Sequence, residues 1–243
     1  SGNELRVESR SRTLFENKFD DAIQLCAMSP NGTLAVFTKS KLYVYDPMFE
    51  NIYTFQTQDL PTALAFAGDN RQFAAGCPYA EGGALGGTVY LMDTRKDEYV
   101  TIRNTEGMPV KIQYLTNAEV LVLYDTYAAV YDTADGTELY RYSYGGRTLQ
   151  SAAISAGKNA VLLSEAGSAD VNERASGVAA SRTGAFVLTN DGVLSYGLDG
   201  VFYGATVTEA KPLAMVNGRK LLLLEQGEVS VFEPLAPPSA SVG

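Results

Sequence analysis

The stretch that decides the fold is AIQLCAMSPNGTLAVFTKSKLYVYD, residues 22–46. It holds three short runs of apolar or alternating residues, separated by the turn Pro30-Asn31-Gly32 and by a second short polar turn. An Asn-Gly pair between two such runs is a strong hairpin signal. Short runs rich in β-branched and aromatic residues favour strands over helices. The stretch therefore predicts three antiparallel strands, the last of which ends at Asp46.

The same order of runs and turns recurs along the chain, at 60–93, 108–132 and 211–233. A fourth, more polar run follows the closing acid, as in ENIYTFQT (50–57) and ELYRYSY (138–144). The second run of each unit is apolar on both faces, which indicates a sheet covered on both sides. One such sheet cannot bury both faces alone and must stack on copies of itself. The repeat therefore predicts an all-β chain, a β-propeller of four-stranded antiparallel blades.

The number of blades follows from the spacing of the closing acids. The 67 residues from Asp132 to Asp199 exceed one typical unit of about 40–45 residues and fall short of two. We count six blades, within a range of five to seven, with a degenerate fourth unit around Ser168–Ser176. Segment 4–19 is expected to join the last blade as its outer strand and so close the ring. The predicted organisation is residues 1–19 as tag remnant and closing strand, 20–235 as propeller, and 236–243 as flexible tail.

Two of these stretches carry a family resemblance. Ser29-Pro30-Asn31-Gly32 with LAVFT and LYVYD, and Asp132–Gly136 with ELYRY, resemble the generic repeat of WD-like, YVTN-type and quinoprotein-like propellers. The Trp-Asp and Gly-His pairs of true WD repeats do not occur. The repeats also resemble uncharacterised extracytoplasmic propellers of Gram-positive bacteria. This resemblance implies the fold and no activity.

Composition excludes several functions. The chain has no His and no Trp, and its net charge is −9. Without imidazole there is no Ser-His-Asp triad and no His-dependent zinc site. Basic residues are too scattered for nucleic acid, and no apolar run is long enough to span a membrane. We expect no cofactor and no metal. Cys26 and Cys77 are predicted to be buried thiols, and a disulfide between them is left open.

The candidate functional residues lie where the repeat is irregular. The glycine-rich 77–88 insertion, which we interpret as a flexible connection, is the first candidate for a recognition loop. A tyrosine-rich third unit is the second candidate, because Tyr140, Tyr142 and Tyr144 alternate on one strand. Tyr127 and Tyr131 lie on the preceding strand, close enough for cross-strand pairing. The predicted binding residues are Tyr79, Glu81, Tyr127, Tyr140, Tyr142 and Tyr144.

The recurring acids are interpreted as structural. Their side chains are expected to accept hydrogen bonds from the backbone N–H groups of the next turn. They are Asp46, Asp93, Asp132 and Asp199. Other carboxylates could in principle serve an enzyme that uses Asp and Glu alone. These are Glu119, Asp125, Glu165 and Glu225.

The leading hypothesis is a non-enzymatic binding or scaffold module that recognises a protein, peptide or glycan ligand, outside the cytoplasm. A glycoside hydrolase or lyase based on carboxylates is one alternative. A structural ectodomain of a larger protein, anchored to a membrane by a segment outside this sequence, is the other.

Overall fold

The structure is a computed structural model. It describes residues 2–57, 59–81, 83–147, 149–154, 160–164, 175–197, 199–217, 220–225 and 227–235. All regular elements in these ranges are β-strands, which confirms the all-β prediction. The same ranges contain no helix long and apolar enough to cross a membrane. The chain divides into two compact units, residues 1–144 and 145–243, which are described separately.

The described part of the first unit forms a hairpin and three four-stranded antiparallel sheets, each with its strands in chain order. The hairpin consists of β1 (Glu4–Glu8) and β2 (Thr13–Lys18). The first sheet contains β3 (Ile23–Met28), β4 (Leu34–Thr38), β5 (Lys41–Tyr45) and β6 (Asn51–Gln56). The second contains β7 (Ala63–Phe66), β8 (Gln72–Glu81), β9 (Ala84–Asp93) and β10 (Val100–Asn104). The third contains β11 (Pro109–Tyr114), β12 (Glu119–Tyr124), β13 (Tyr127–Asp132) and β14 (Glu138–Ser143).

These three sheets stack face to face as blades. Phe37 and Phe73 belong to the apolar layer between the first and second sheets. Val89 and Val122 belong to the layer between the second and third. Every residue of β4 is buried, because this second strand is covered on both faces. The sheets approach so closely that a Cβ on Gly76 of β8 would lie 2.9 Å from the Cβ of a proline on β11.

The N-terminal segment forms a two-stranded sheet of its own within the first unit. Strands β1 and β2 pair with each other in antiparallel register, from Glu4 opposite Lys18 to Glu8 opposite Thr13. Val7 and Phe15 pack on the apolar face of the first sheet. Pairing within one short segment closes a small loop, which costs little entropy. The role of this segment as the outer strand of the last blade stays a prediction.

The second unit contains sheets of two, four and three strands within its described residues. The first has β15 (Leu149–Ile154) and β16 (Ala160–Ser164), and the second has β17 (Gly177–Ala180), β18 (Gly184–Leu188), β19 (Gly192–Gly197) and β20 (Phe202–Val207). The third has β21 (Pro212–Asn217), β22 (Leu221–Glu225) and β23 (Glu228–Phe232). Phe186 and Phe232 meet edge to face, 5.7 Å apart, between the last two sheets.

Five sheets of three or four strands correspond to blades. This number lies within the predicted range and is one below the favoured count of six. The fourth predicted unit accounts for the difference, since it contributes only β15 and β16 to the described residues. Most of the degenerate stretch Ser168–Ser176 lies outside the described residues, as does the predicted tail at 236–243.

Hydroxyl side chains hold equivalent turns in different sheets. Ser29 Oγ accepts a hydrogen bond from the Thr33 backbone N–H at 3.0 Å, and Ser181 Oγ accepts one from Gly184 N–H at 3.0 Å. Both serines stand at the turn between the first two strands of a blade, where a short side chain can replace a missing backbone partner. Ser195 on β19 differs, because its Oγ is buried and has no hydrogen-bond partner within the described residues.

The two cysteines have different environments. Neither forms a disulfide, Cys77 is buried, and Cys26 is exposed. Burial raises the pKa of the Cys77 thiol to about 12. Residues of β3 alternate between partly buried and exposed positions, and Cys26 occupies an exposed one. The prediction of two buried thiols is therefore wrong for Cys26.

Candidate functional site

The described residues of the 77–88 insertion form a β-hairpin. Strands β8 and β9 pair without interruption from Gln72 opposite Asp93 to Glu81 opposite Ala84. A Cβ on Gly86 would lie 2.8 Å from the ring of Tyr79, so glycine is needed for the approach. Glycine within a strand often marks such close contact. The segment is therefore not an irregular connection in its described residues: the extra residues lengthen the hairpin of β8 and β9.

Tyr79 and Glu81 lie on one face of this hairpin, beside Arg103 of β10. The Tyr79 hydroxyl donates a hydrogen bond of 2.9 Å to the carbonyl of Asn104. The Arg103 guanidinium lies 4.4 Å from the centre of the Tyr79 ring and binds the Glu81 carboxylate at 2.7 Å. Arg103 thus links a cation–π contact to an exposed ion pair. The cluster fixes the hairpin on β10 and still presents Glu81 to solvent.

Two of the three alternating tyrosines are strongly exposed. All six residues of β14 are exposed, and the exposed fractions of Tyr140 and Tyr142 are 71% and 65%. They stand opposite the smaller residues Val130 and Ala128 of β13. Tyr144, just past the strand, is buried. The strand therefore presents two large aromatic side chains that packing does not cover.

Tyr127 belongs to the opposite face of the sheet. It is buried and stacks on Tyr124 with ring centres 4.4 Å apart. Arg141 stands opposite Ala129 and places its guanidinium 4.1 Å from the centre of the Tyr127 ring. Tyr131 is buried on the same face, in the layer between the second and third sheets. Tyr127 and Tyr131 therefore do not pair with Tyr140 or Tyr142, which corrects that expectation.

One loop, residues 104–108, brings the two predicted features to neighbouring positions. The Asn104 carbonyl accepts the hydrogen bond from Tyr79. Two residues later, the Glu106 carboxylate pairs with Arg141 of β14, and the Glu106 carbonyl accepts a 2.7 Å hydrogen bond from the Thr126 hydroxyl. The hairpin and the tyrosine strand thus border the same loop. We call the exposed side chains of Tyr140 and Tyr142, on the other face of β14, the tyrosine surface.

The recurring acids each accept backbone hydrogen bonds in the turn that follows them. Asp46 Oδ1 accepts from Met48 and Glu50 N–H, both at 2.9 Å. The equivalent bonds in the other turns measure 3.0, 2.7 and 3.1 Å. Their acceptors are Asp93, Asp132 and Asp199. Each of these carboxylates therefore already serves as a hydrogen-bond acceptor within its own turn.

The carboxylates considered for catalysis do not assemble into a pair within the first unit. Glu119 and Asp125 stand at opposite ends of β12, about 20 Å apart at ~3.3 Å per residue. A glycosidase needs a separation of roughly 5–9.5 Å. Glu225 lies in the second unit, and Glu165 lies outside the described residues. The described residues also contain no group of three His, Cys, Asp or Glu side chains able to hold a metal ion.

The carboxyls with shifted pKa values also argue against acid catalysis at their positions. Hydrogen bonds to Arg95 and Arg141 lower the pKa of Asp93 and Glu138 respectively. A hydrogen bond from the Thr137 backbone lowers the pKa of Asp135. A general acid at neutral pH needs a raised pKa. These three groups are therefore ionised at neutral pH.

Sequence reasoning missed two adjoining clefts at the other end of the second and third sheets. Their volumes are about 380 and 480 Å³, and both are lined by Tyr114 and Asn117. The turns that form them come from separate repeats, so no single stretch of sequence contains the site. The one local signal was polar residues in consecutive turns, such as Asn70 and Asn117.

Stacked four-stranded antiparallel sheets define the class: a β-propeller, a fold that fits a binding or scaffold module. The chain belongs to the family described as "Family of unknown function (DUF5711)", whose model matches residues 1–176. No curated protein matches its sequence.

Solved structures agree on the fold. BBS1N in complex with ARL6DN has a TM-score of 0.65 and 12% identity, over 98% of this chain and 85% of that chain. BamB from Moraxella catarrhalis has a TM-score of 0.62 and 13% identity, over 94% and 78%. The Pan2 WD40 domain of Neurospora crassa has a TM-score of 0.58 and 11% identity, over 92% and 82%. At these identities the likeness shows the β-propeller fold alone.

Proposed function

We propose that this protein is a non-enzymatic binding module that recognises a protein or cell-surface ligand through the tyrosine surface. The observation that carries the proposal is the exposure of Tyr140 and Tyr142, 71% and 65%, on a strand whose residues are all exposed. Tyrosine is enriched among residues that dominate binding energy at protein interfaces. It supplies a large contact area with few rotatable bonds and a hydroxyl that can hydrogen-bond at the rim.

The support beneath this surface favours recognition without rearrangement. Arg141, between the two tyrosines, bonds Glu138 through two nitrogens at 2.9 and 2.8 Å. It also pairs with Glu106 and covers the ring of Tyr127. Its side chain points to the face opposite Tyr140 and Tyr142, so it fastens the strand and leaves the tyrosines free. A surface held in one conformation loses less entropy on binding.

A protein ligand has a precedent among similar folds. BBS1N, a structure of similar fold, was solved in complex with ARL6DN. The net charge of −9 further favours a neutral or basic partner over an anionic surface. An extracytoplasmic location, with membrane anchoring by a segment outside this sequence as the alternative, is part of the proposal. It is supported by the resemblance of the repeats to extracytoplasmic propellers.

The test compares capture by three proteins. Immobilised wild type, a Tyr140→Ser/Tyr142→Ser double variant and a Met48→Ser control are incubated with a cell-surface extract, and bound proteins are identified by quantitative mass spectrometry. Met48 is an apt control because it is 80% exposed, in the turn between β5 and β6. We expect one or a few proteins to bind wild type and control alike and to fall at least tenfold with the double variant.

The same three proteins are applied to a glycan array. A signal that depends on the two tyrosines would assign the cell-surface ligand to the glycan class. Ligands that bind the double variant as well as wild type would overturn the tyrosine surface. Silence in both assays would favour the scaffold alternative.

A further inference from the structure

The last sheet of the second unit ends on a strand that is paired on one side within the described residues. Its strand order is β21-β22-β23. By its place in the repeat, β23 is a third strand: EVSVFE (228–233) corresponds to KLYVYD (41–46) and YAAVYD (127–132). Those two stretches form β5 and β13, each of which pairs with a fourth strand on its other side. The outer edge of β23 therefore corresponds to the position of a fourth strand.

The edge of β23 lacks the usual features that prevent a sheet edge from pairing. Such features are Lys or Pro on the strand and bulges that twist it away. β23 contains neither Lys nor Pro, and its one charged residue, Glu228, lies at its beginning. Its register with β22 runs without a shift from Leu221 opposite Phe232 to Glu225 opposite Glu228. By contrast, the outer strands β6, β14 and β20 join their sheets through a bulge.

The exposed side chains in the middle of β23 are apolar. Val229 and Val231 are 60% and 50% exposed. They stand opposite Leu224 and Leu222 of β22, which are also exposed on this face. A strand added at the edge would pair its backbone N–H and C=O groups with those of β23 and cover part of the apolar face. Such a strand needs apolar residues at alternate positions.

The other blades show which residues fit opposite these two valines. In the first and third sheets, each corresponding residue of the third strand stands opposite an aromatic residue of the fourth. The pairs are Val44–Tyr53 and Val130–Tyr140 at the position of Val231, and Leu42–Phe55 and Ala128–Tyr142 at the position of Val229. Because the fourth strand runs antiparallel, the residue opposite Val231 comes first. The repeat therefore predicts the order aromatic-x-aromatic.

The charge along the edge favours a basic segment. Glu228 and Glu233 flank the apolar residues and are exposed, and neither carboxylate forms an ion pair within the described residues. Lys41, at the position of Glu228, stands opposite Gln56, the residue just after the second aromatic one. A Lys or Arg at that place in an added strand would lie opposite Glu228. Opposite charges across two strands stabilise their pairing.

We propose that the edge of β23 binds an extended segment of a partner protein as an antiparallel fourth strand, with the order aromatic-x-aromatic-basic. The two aromatic residues lie opposite Val231 and Val229, and the basic residue lies opposite Glu228. In β1, the chain's own Leu5-x-Val7 is followed by the acid Glu8, which does not match this order. The site is on a different sheet from the tyrosine surface and does not depend on the proposed function.

The test measures the binding of short peptides to the folded chain by isothermal titration calorimetry. The first probe, NIYTFKT, is the sequence of residues 51–57 with lysine in place of glutamine. NISTSKT replaces both aromatic residues by serine, and NIYTFET reverses the charge. We expect NIYTFKT to bind with a Kd of about 100 µM. NISTSKT should bind at least about tenfold more weakly, and NIYTFET about fivefold more weakly.

NMR of the valine methyl groups locates the bound peptide. We expect NOEs from the tyrosine ring of NIYTFKT to the methyl groups of Val231, and from its phenylalanine ring to those of Val229. Val231→Lys puts a lysine on the edge and should weaken binding about tenfold. Val207→Lys is the control for added charge, because Val207 is 83% exposed at the end of β20, and should bind like wild type. If Val231→Lys fails to fold, Val229→Lys takes its place.

Four results would overturn the proposal. The first is no binding of NIYTFKT at about 20 times the expected Kd, or equal binding of NISTSKT. The second is unchanged affinity of Val231→Lys, or of Val229→Lys where the first variant does not fold. The third is the reverse order of NOEs. The fourth is a set of NOEs from Val231 to residues 4–19 in the free chain, or to a second copy in a dimer, because either would fill the edge without a partner.

Discussion

Replacing Tyr140 by threonine should cost the folded state little, whereas truncating Tyr124 should cost it much. Tyr140 is 71% exposed and Tyr124 is fully buried. For a tyrosine of about 200 Å², the covered part of Tyr140 is roughly 60 Å². At ~25 cal/mol per Å², less the burial that remains in the unfolded chain, this is worth about 1 kcal/mol. Threonine retains strand propensity, so backbone preference adds little.

Tyr124→Ala removes a full core side chain and its hydroxyl contact with Tyr131 at 3.1 Å. The expected loss is about 3–5 kcal/mol. In a chain of this size, 1 kcal/mol moves the melting temperature by about 2–4 °C. Urea unfolding followed by circular dichroism, together with a thermal melt, would separate the two variants clearly.

Tyr142→Thr tests the same reasoning a second time, because Tyr142 is on the same strand and is 65% exposed. It should match Tyr140→Thr within about 0.5 kcal/mol. If either threonine variant loses as much stability as Tyr124→Ala, the two tyrosines serve packing between blades, and the reasoning that assigns them to binding fails.

The remaining predictions concern stability and thiol chemistry. Ser195→Ala should stabilise the chain by about 1 kcal/mol, since the Ser195 hydroxyl has no partner within the described residues. Ser181→Ala should destabilise the chain by about 1–2 kcal/mol, since the Ser181 hydroxyl caps a turn. Urea titrations that show the same sign of change for both variants would contradict this. A thiol reagent at pH 8 should modify Cys26 rapidly and Cys77 only after unfolding, because Cys77 is buried with a pKa of about 12. Two fast equivalents per folded chain would be the contrary result. Gly76→Ala should cost about 1–3 kcal/mol through overpacking between sheets, and a melting temperature equal to that of wild type would refute the contact.

The repeat was predictable because its signals are local. The turn at Pro30-Asn31-Gly32 and the apolar run after it each lie within a few residues, and β4 forms there as expected, with every residue buried. The role of the closing acids could also be predicted, because the side chain of an Asp before a turn accepts hydrogen bonds from the N–H groups just ahead of it. Local patterns of this kind determine strands and turns without reference to the rest of the chain.

The errors arose where two distant stretches meet. The alternation along β14 correctly predicted that Tyr140 and Tyr142 share one face. It could not predict the face of Tyr127 relative to them, because that face depends on the register of two strands, which sets Arg141 opposite Ala129. The glycines of the 77–88 segment suggest flexibility in isolation. In the structure Gly86 is needed because a Cβ at this position would clash with the ring of Tyr79 across the hairpin. Register and close approach are properties of pairs of strands.

The clefts could not be predicted for the same reason. Gln72 begins a strand of the second sheet and Asp132 ends a strand of the third, 60 residues later in the chain. Neither residue is unusual in its own repeat. Only the stacking of the blades places both residues on one cleft.

The two faces of strand β14 differ in how strongly their side chains are held by the rest of the protein. Arg141 is bound by two carboxylates and an aromatic ring, so most substitutions there would loosen the strand. Tyr140 and Tyr142, on the other face, touch little of the protein. Mutations at these two positions cost only about 1 kcal/mol each, so the surface can change its ligand while the blade persists. The same separation makes the two positions suitable for randomised libraries that seek new binders on this scaffold.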